Sequence, residues 1–179
     1  MILEFLKNLK KCVPINSLFL IGNELIIIVD SNKLLNILLL LKNYENSRFD
    51  LLVDICGVDF PNKKNRFEIN YILLSMSNNQ RIRIKTYTHE MGYIPSINEI
   101  FKNSNWLERE VWDMYGIFFQ NHKDLRRILT DYGFEGFPFR KDFPLIGYTE
   151  FRYDDIIKSV KNENITLSQE FRLFNHITR

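Results

Sequence analysis

The chain has 179 residues, of which 45% are hydrophobic and 26% charged, with a formal net charge of +2. That length suits one domain, or one domain with an extended tail, and the near balance of charge excludes a global field that would gather nucleic acid or anionic lipid. Its two cysteines, Cys12 and Cys56, lie far apart, which excludes a disulfide framework or a CxxC pair and fits a reducing compartment.

Taken in chain order, Ile2, Leu3, Phe5, Leu6 and Leu9 give an amphipathic helix that stops before Pro14. This stretch contains Glu4 and no arginine, and so does not read as a mitochondrial transit peptide. Two strands joined at Gly22-Asn23 follow. Ser31 can cap a helix running to about Asn43, apolar on most of its surface. Its apolar run, Leu34 to Leu41, falls far short of the roughly 20 residues a spanning helix needs, so a soluble or peripheral protein is expected. Phe49 to Phe60 reads as a strand with Phe49, Leu51, Val53 and Ile55 on one face. Phe67 to Ser75 and Gln80 to Thr88 form a hairpin around Asn78-Asn79. In its second strand Ile82, Ile84 and Thr86 alternate with Arg81, Arg83 and Lys85. The predicted fold is α+β: a two-layer domain with a mixed five-stranded sheet (helix, two strands, helix, three strands), then helices and an extended C-terminal strap. The compact domain is expected over residues 1–132, and a partner-binding segment over 133–179.

Sites of chemistry are sparse. His89, His122 and His176 are scattered, and two cysteines cannot supply the four ligands an iron–sulfur cluster generally needs. No Gly-rich phosphate loop or nucleophile elbow is present. Asp54 and Asp59 flank Gly57 and could do acid–base work in a hydrolase, but such residues more often cap a loop or meet arginine. The basic strand with Tyr87 beside it offers an RNA-binding face as the alternative function, against the plainer reading of a solvated strand face. The chain contains no alanine, which points to an A+T-rich coding genome such as an organelle's or a reduced bacterium's.

From Trp106 to Pro144 the signals are denser. A helix to Gly116 buries Leu107, Val111, Met114 and Phe118 and turns Glu108, Arg109, Glu110 and Asp113 outward. Either those charges form a solvated face, or Glu110 and Asp113 pair with basic groups elsewhere, Arg126, Arg127, Arg140 and Lys141 lying just downstream. Asn121 and Asp124 resemble a capping box opening a second helix that Gly133 would stop. Gly136, Pro138, Pro144 and Gly147 then forbid helix. Phe134, Phe137, Phe139 and Phe143 must therefore bury against this domain or another chain, each being worth about 1.5–3 kcal/mol.

These residues resemble a known family. Glu108, Arg109, Glu110 and Asp113; His122, Asp124, Arg126, Arg127, Asp131, Tyr132, Gly133, Phe134 and Gly136; and Pro138, Arg140, Lys141, Asp142, Phe143 and Pro144 are similar to the motifs of the 30-kDa subunit of respiratory complex I, the family of the mitochondrial subunit 9 and its bacterial equivalent. Arg66 to Tyr71, Gly147 to Asp155 and Ser168 to Arg172 extend the likeness. Lys123 stands where the family often has proline, and Phe137 where it often has histidine. The resemblance implies a non-catalytic peripheral-arm subunit of NADH:ubiquinone oxidoreductase, a translocase. On that reading it has no catalytic residues and binds no cofactor itself, FMN and the iron–sulfur clusters sitting in partner subunits. It would clamp the 49-kDa quinone-site subunit and neighbouring iron–sulfur subunits, bind no nucleic acid and span no membrane. The implied location is the matrix side of the mitochondrial inner membrane, with an organelle-encoded gene.

Overall fold

A computed structural model describes residues 16–172 except Asn23, together with Phe174. The predicted N-terminal helix over Ile2 to Leu9 lies outside these residues. The chain divides into two compact units, the boundary falling between Asp142 and Phe143.

The first unit is built on a five-stranded mixed sheet. Its strands are β1 (Ser17–Ile21), β2 (Glu24–Ile28), β3 (Leu51–Asp59), β4 (Phe67–Ser75) and β5 (Gln80–Thr88), in the spatial order β1-β2-β5-β4-β3. β2 runs parallel to β5 and every other pairing is antiparallel. The two predicted hairpins form as expected. Gly22 (φ 61°) and Asn79 (φ 48°) take the left-handed conformation that tight turns demand.

Helix α1 (Leu34–Asn43) crosses between β2 and β3 and inserts Leu34, Ile37, Leu38 and Leu41, spaced at three and four residues, into the core. A 3₁₀ turn, Ser31–Lys33, leads into it, and no side chain caps its first turn, so the expected Ser31 cap is not made. Against α1 the sheet presents Leu25, Ile27, Leu52, Ile55, Ile69, Tyr71, Leu73, Ile82 and Ile84, all buried.

β3 departs from the expected alternation. Phe49 and Ile55 are buried, but Leu51 and Val53 lie exposed and Leu52 takes the inner place. The register slips between Leu52 and Asp54, a β-bulge whose extra residue reverses the alternation at Val53. Plain period-two reading cannot see such an insertion.

Helix α2 (Ser104–Tyr115) packs on β3 and ends at Gly116, whose φ of 74° supplies the left-handed C-terminal stop. A short parallel pair, β6 (Tyr93–Pro95) and β7 (Phe118–Gln120), brings the chain before α2 alongside the chain after it. α2 can approach β3 closely because Gly57 has no side chain: a Cβ there would lie 2.8 Å from the Tyr115 ring. The second unit contains the antiparallel hairpin β8 (Thr149–Asp154) and β9 (Ser159–Asn164), which the sequence reading did not foresee.

Gly57→Ala is therefore expected to lower stability by about 1–3 kcal/mol through overpacking against Tyr115. Urea unfolding should show a lower midpoint at unchanged slope. An unchanged midpoint would mean that the ring gives way freely.

Candidate functional site

The densest polar chemistry of the first unit lies on α2, and its placement reverses one expectation. Glu108, Arg109 and Asp113, predicted to face solvent, are buried together with Val111 and Met114, while Trp106 and Glu110 are exposed. Phe118 belongs to β7, not to the helix stripe, and is half exposed. Helical periodicity assigns charges to the outside. Here each buried charge is instead met by a separate stretch of chain.

Asp113 holds the segment after β7. Its Oδ2 accepts the backbone N–H groups of Ile128 (3.1 Å), Leu129 (2.7 Å) and Thr130 (2.9 Å). Its Oδ1 accepts the Thr130 hydroxyl at 2.6 Å and Arg127 Nη1 at 3.1 Å. Burial raises the pKa of this carboxyl, but the hydrogen bonds from Thr130, Leu129 and Ile128 outweigh it and lower the value to about 2. This explains why the predicted second helix, from Asn121 to Gly133, is a loop. The donors that would point at carbonyls four residues back are taken by a carboxylate fifteen to seventeen residues away. Arg109 completes the grip, its guanidinium donating to the carbonyls of Arg126 (3.2 Å) and Arg127 (3.5 Å) beneath the Trp106 ring.

Arg127 carries the order onward. Its Nη2 donates to the Gly136 carbonyl at 2.9 Å, and its guanidinium lies 5.0 Å from the centre of the Phe137 ring. Phe137 packs edge-on to Trp112 at 5.9 Å and lies on the other side against Arg140 at 4.6 Å. Arg140 donates to the Tyr115 carbonyl (2.6 Å), a bare acceptor at the end of α2, and to Glu90 (2.8 Å). Phe139 packs on Tyr115 at 5.7 Å. Two of the four phenylalanines thus dock on this chain's own helix.

The segment is pinned a last time at the sheet. Lys141 N–H donates to Asp59 at 2.9 Å, and Arg66 joins Asp59 (2.8 Å), Asp142 (2.9 Å) and Glu90 (3.3 Å). The Arg66 hydrogen bonds hold Asp59 below the usual carboxylate range, against the opposing effect of burial. Asp59 therefore meets arginine, the plainer of the two readings. Asp54 accepts the Ile55 N–H and the Cys56 thiol.

Among the other predicted residues, Asp131 accepts the Tyr132 N–H at 2.7 Å, and Tyr132 is fully exposed. Arg126 pairs with Asp124 at the surface. Gly133 and Gly136 take φ of 74° and 99°. Pro138 is half-buried in the first unit. Phe143 and Pro144 belong to the second unit, where Phe143 packs on Tyr148 at 5.5 Å. Sequence reasoning missed the part of Ser96 and Ile97, which bind Glu108, and that of Glu90. No local signal marks them, because their partners are distant in sequence.

The basic strand does not offer a free cationic face. Arg83 pairs with Glu24 at 2.8 Å and Lys85 with Glu68 at 2.7 Å, both across neighbouring strands. The RNA-binding alternative thus loses two of its three basic side chains to the sheet itself, and Arg81 stays exposed. Among the described residues no group of three or more His, Cys, Asp or Glu could hold a metal ion, and no helix is long and apolar enough to cross a membrane.

An α+β domain of this kind has a counterpart in a chain of a respiratory membrane complex. A chain of the archaeal membrane-bound sulfane sulfur reductase, a respiratory membrane complex, superposes with a TM-score of 0.68 at 25% identity, covering 80% of this chain and 85% of that one. Residues 27–149 match the family model described as the 30 Kd subunit of respiratory-chain NADH dehydrogenase, and the chain belongs to that family. It is 55% identical to NADH-ubiquinone oxidoreductase subunit 9 of Reclinomonas americana, over 85% of this chain and 74% of the relative. It is 50% identical to a bacterial relative, a subunit of the NADH-quinone oxidoreductase of Paramagnetospirillum magneticum, over 87% and 78%.

Asp113→Asn should strip hydrogen-exchange protection from the amides of Ile128, Leu129 and Thr130 while leaving those of β4 and β5 protected. In the wild type, the lowered pKa means that Asp113 stabilises the fold above its ordinary pKa of 3.8, and the contribution is lost as pH falls toward about 2. Acid unfolding of Asp113→Asn should lack that component, worth up to ~2 kcal/mol.

Proposed function

We infer that this chain is a non-catalytic scaffold of the quinone-reducing module of NADH:ubiquinone oxidoreductase, supporting electron transfer from NADH to ubiquinone by clamping neighbouring subunits. The observation that carries this reading is the β8–β9 hairpin. Alternation puts Thr149, Phe151 and Tyr153 on one face, opposite Asn164, Asn162 and Val160, and that face bears no charge. The other face bears Glu150, Arg152 and Asp154 opposite Glu163, Lys161 and Ser159, tied by Arg152–Glu163 (3.0 Å) and Lys161–Glu163 (3.1 Å). Phe151, Tyr153 and Val160 are exposed, as are Ile156 and Ile157 at the tip. A two-stranded sheet is marginally stable alone in water, so an aromatic face left bare on one calls for a partner surface.

The partner that fits is the 49-kDa quinone-site subunit, with adjacent iron–sulfur subunits beside it. The names of the relatives, ubiquinone and quinone oxidoreductase subunits, support this. The donor set supports a chain without a cluster of its own: burial and the Asp54 carboxylate push the Cys56 thiol up to about 11, the reverse of what a thiolate ligand requires. FMN and the clusters then belong to partner subunits. Kinship with subunit 9 relatives fits work on the matrix side of the mitochondrial inner membrane.

The test is native electrophoresis of detergent-solubilised membranes from cells carrying Phe151→Asp together with Tyr153→Asp. A large band with NADH dehydrogenase activity should weaken several-fold relative to wild type, while the isolated variant keeps the circular dichroism of the wild-type chain. Undiminished assembly would overturn the assignment of this face to a partner.

A further inference from the structure

Beneath α2 lies a pair of titratable groups that the scaffold reading does not use. The side chains of Glu108 and His122 are both completely buried, with Glu108 Oε2 3.7 Å from His122 Nε2. The Glu108 carboxylate fastens the turn that follows β6: Oε2 accepts the Ser96 hydroxyl at 2.6 Å and Oε1 the Ile97 N–H at 2.7 Å. His122 fastens the turn that follows β7. Its Nδ1 accepts the Asp124 N–H at 3.1 Å, and its Nε2 lies 3.3 Å from the Asn105 carbonyl.

An Nδ1 that accepts a backbone N–H carries no hydrogen, which leaves Nε2 as the ring's donor, directed at the Asn105 carbonyl and Glu108. The Glu108 carboxyl has room for a proton. A hydrogen on Oε2 can be donated to Ser96 Oγ, which already accepts the Asn98 N–H at 3.3 Å, while Oε1 keeps the Ile97 N–H.

Among the described residues no compensating cation stands near. Arg109, the next residue, is turned to the carbonyls of Arg126 and Arg127, and Arg127 is engaged by Asp113. From the sheet, Tyr71 on β4 faces the cluster with a buried hydroxyl that has no hydrogen-bond partner in the structure, and Asp124 contributes only its N–H, its carboxylate pairing with Arg126 at the surface. Burying an anion here, with Arg109 and Arg127 engaged elsewhere, is costly unless a proton neutralises it.

We propose that the pocket shared by Glu108 and His122 is a buried proton-binding latch in which one proton from solvent enters on the Glu108 carboxyl, relieves the cost of burying that charge and so stabilises the packing beneath α2. Burial acts in the same direction, raising the Glu108 pKa from 4.5 to about 7 in spite of the hydrogen bonds from Ser96 and Ile97. The folded chain then binds more protons than the unfolded chain between those values. The contribution is present in full below the unfolded pKa and is lost as pH rises through about 7. This contribution to stability is thus greatest in mildly acidic solution and is lost on the alkaline side of neutrality.

The experiment is an NMR titration of the full chain, ¹³C-labelled at glutamate carboxyls, with thermal unfolding of wild type and Glu108→Gln over the same range. One carboxyl signal should titrate with a midpoint near pH 7 and vanish in Glu108→Gln. The wild-type unfolding constant should rise on the order of a hundredfold between about pH 5 and 8, and that of Glu108→Gln should lack this rise. Glutamates that all titrate in the ordinary acid range would overturn the latch. If Glu108→Gln fails to fold, the wild-type titration decides alone.

Discussion

Five hydrogen bonds converge on the Asp113 carboxylate, and most of what is particular to this molecule depends on them. A buried carboxylate is tolerable only when its lone pairs are filled, and this one is filled almost wholly from a single loop. The loop in turn is tolerable without secondary structure because its donors have somewhere to go. Remove either party and the other is left with unsatisfied polar groups in a place water does not reach. Through Arg127 the same unit orders the Gly136–Phe137 stretch, and through Arg140 and Lys141 the chain returns to α2 and the sheet. The path from residue 122 to residue 142 is held by side chains rather than by ladders.

How much of this the sequence disclosed follows from the range of each interaction. The β4–β5 hairpin was legible residue by residue, because alternation and the Asn78-Asn79 turn are local and agree with one another. α1 was legible from its apolar spacing, though its first turn is not capped by Ser31. The bulge at Val53 was not, since it is defined by the partner strand's register. The loop after β7 misled because Asn121, Asp124 and Gly133 carry genuine local helix signals, and a distant carboxylate overrides them. The buried charges of α2 misled for the same reason. The family resemblance drew the eye to this stretch, but helical periodicity gave Glu108, Arg109 and Asp113 an outward face, and only the contacts reveal that Asp113 takes the arginine partner while Glu110 stays in solvent.

The two units solve the burial of apolar surface differently. The first closes around a continuous core of leucine, isoleucine and phenylalanine between sheet and helices, and pairs Arg83 and Lys85 with carboxylates on neighbouring strands. The second has too little chain to make a core and displays its aromatic residues instead. Stability resides in one part, and exposed aromatic surface is concentrated in the other.

The way Asp113 holds its loop has a consequence for how such a surface can diversify. Three of its five donors are main-chain N–H groups, which every residue except proline possesses. The path of the backbone is therefore indifferent to which side chains stand at Ile128 and Leu129, and Leu129 already points into solvent. Geometry and surface chemistry are uncoupled there. A lineage of such chains is free to rewrite the outward residue to follow changes in a neighbouring protein, one substitution at a time, without refitting the fold that presents it.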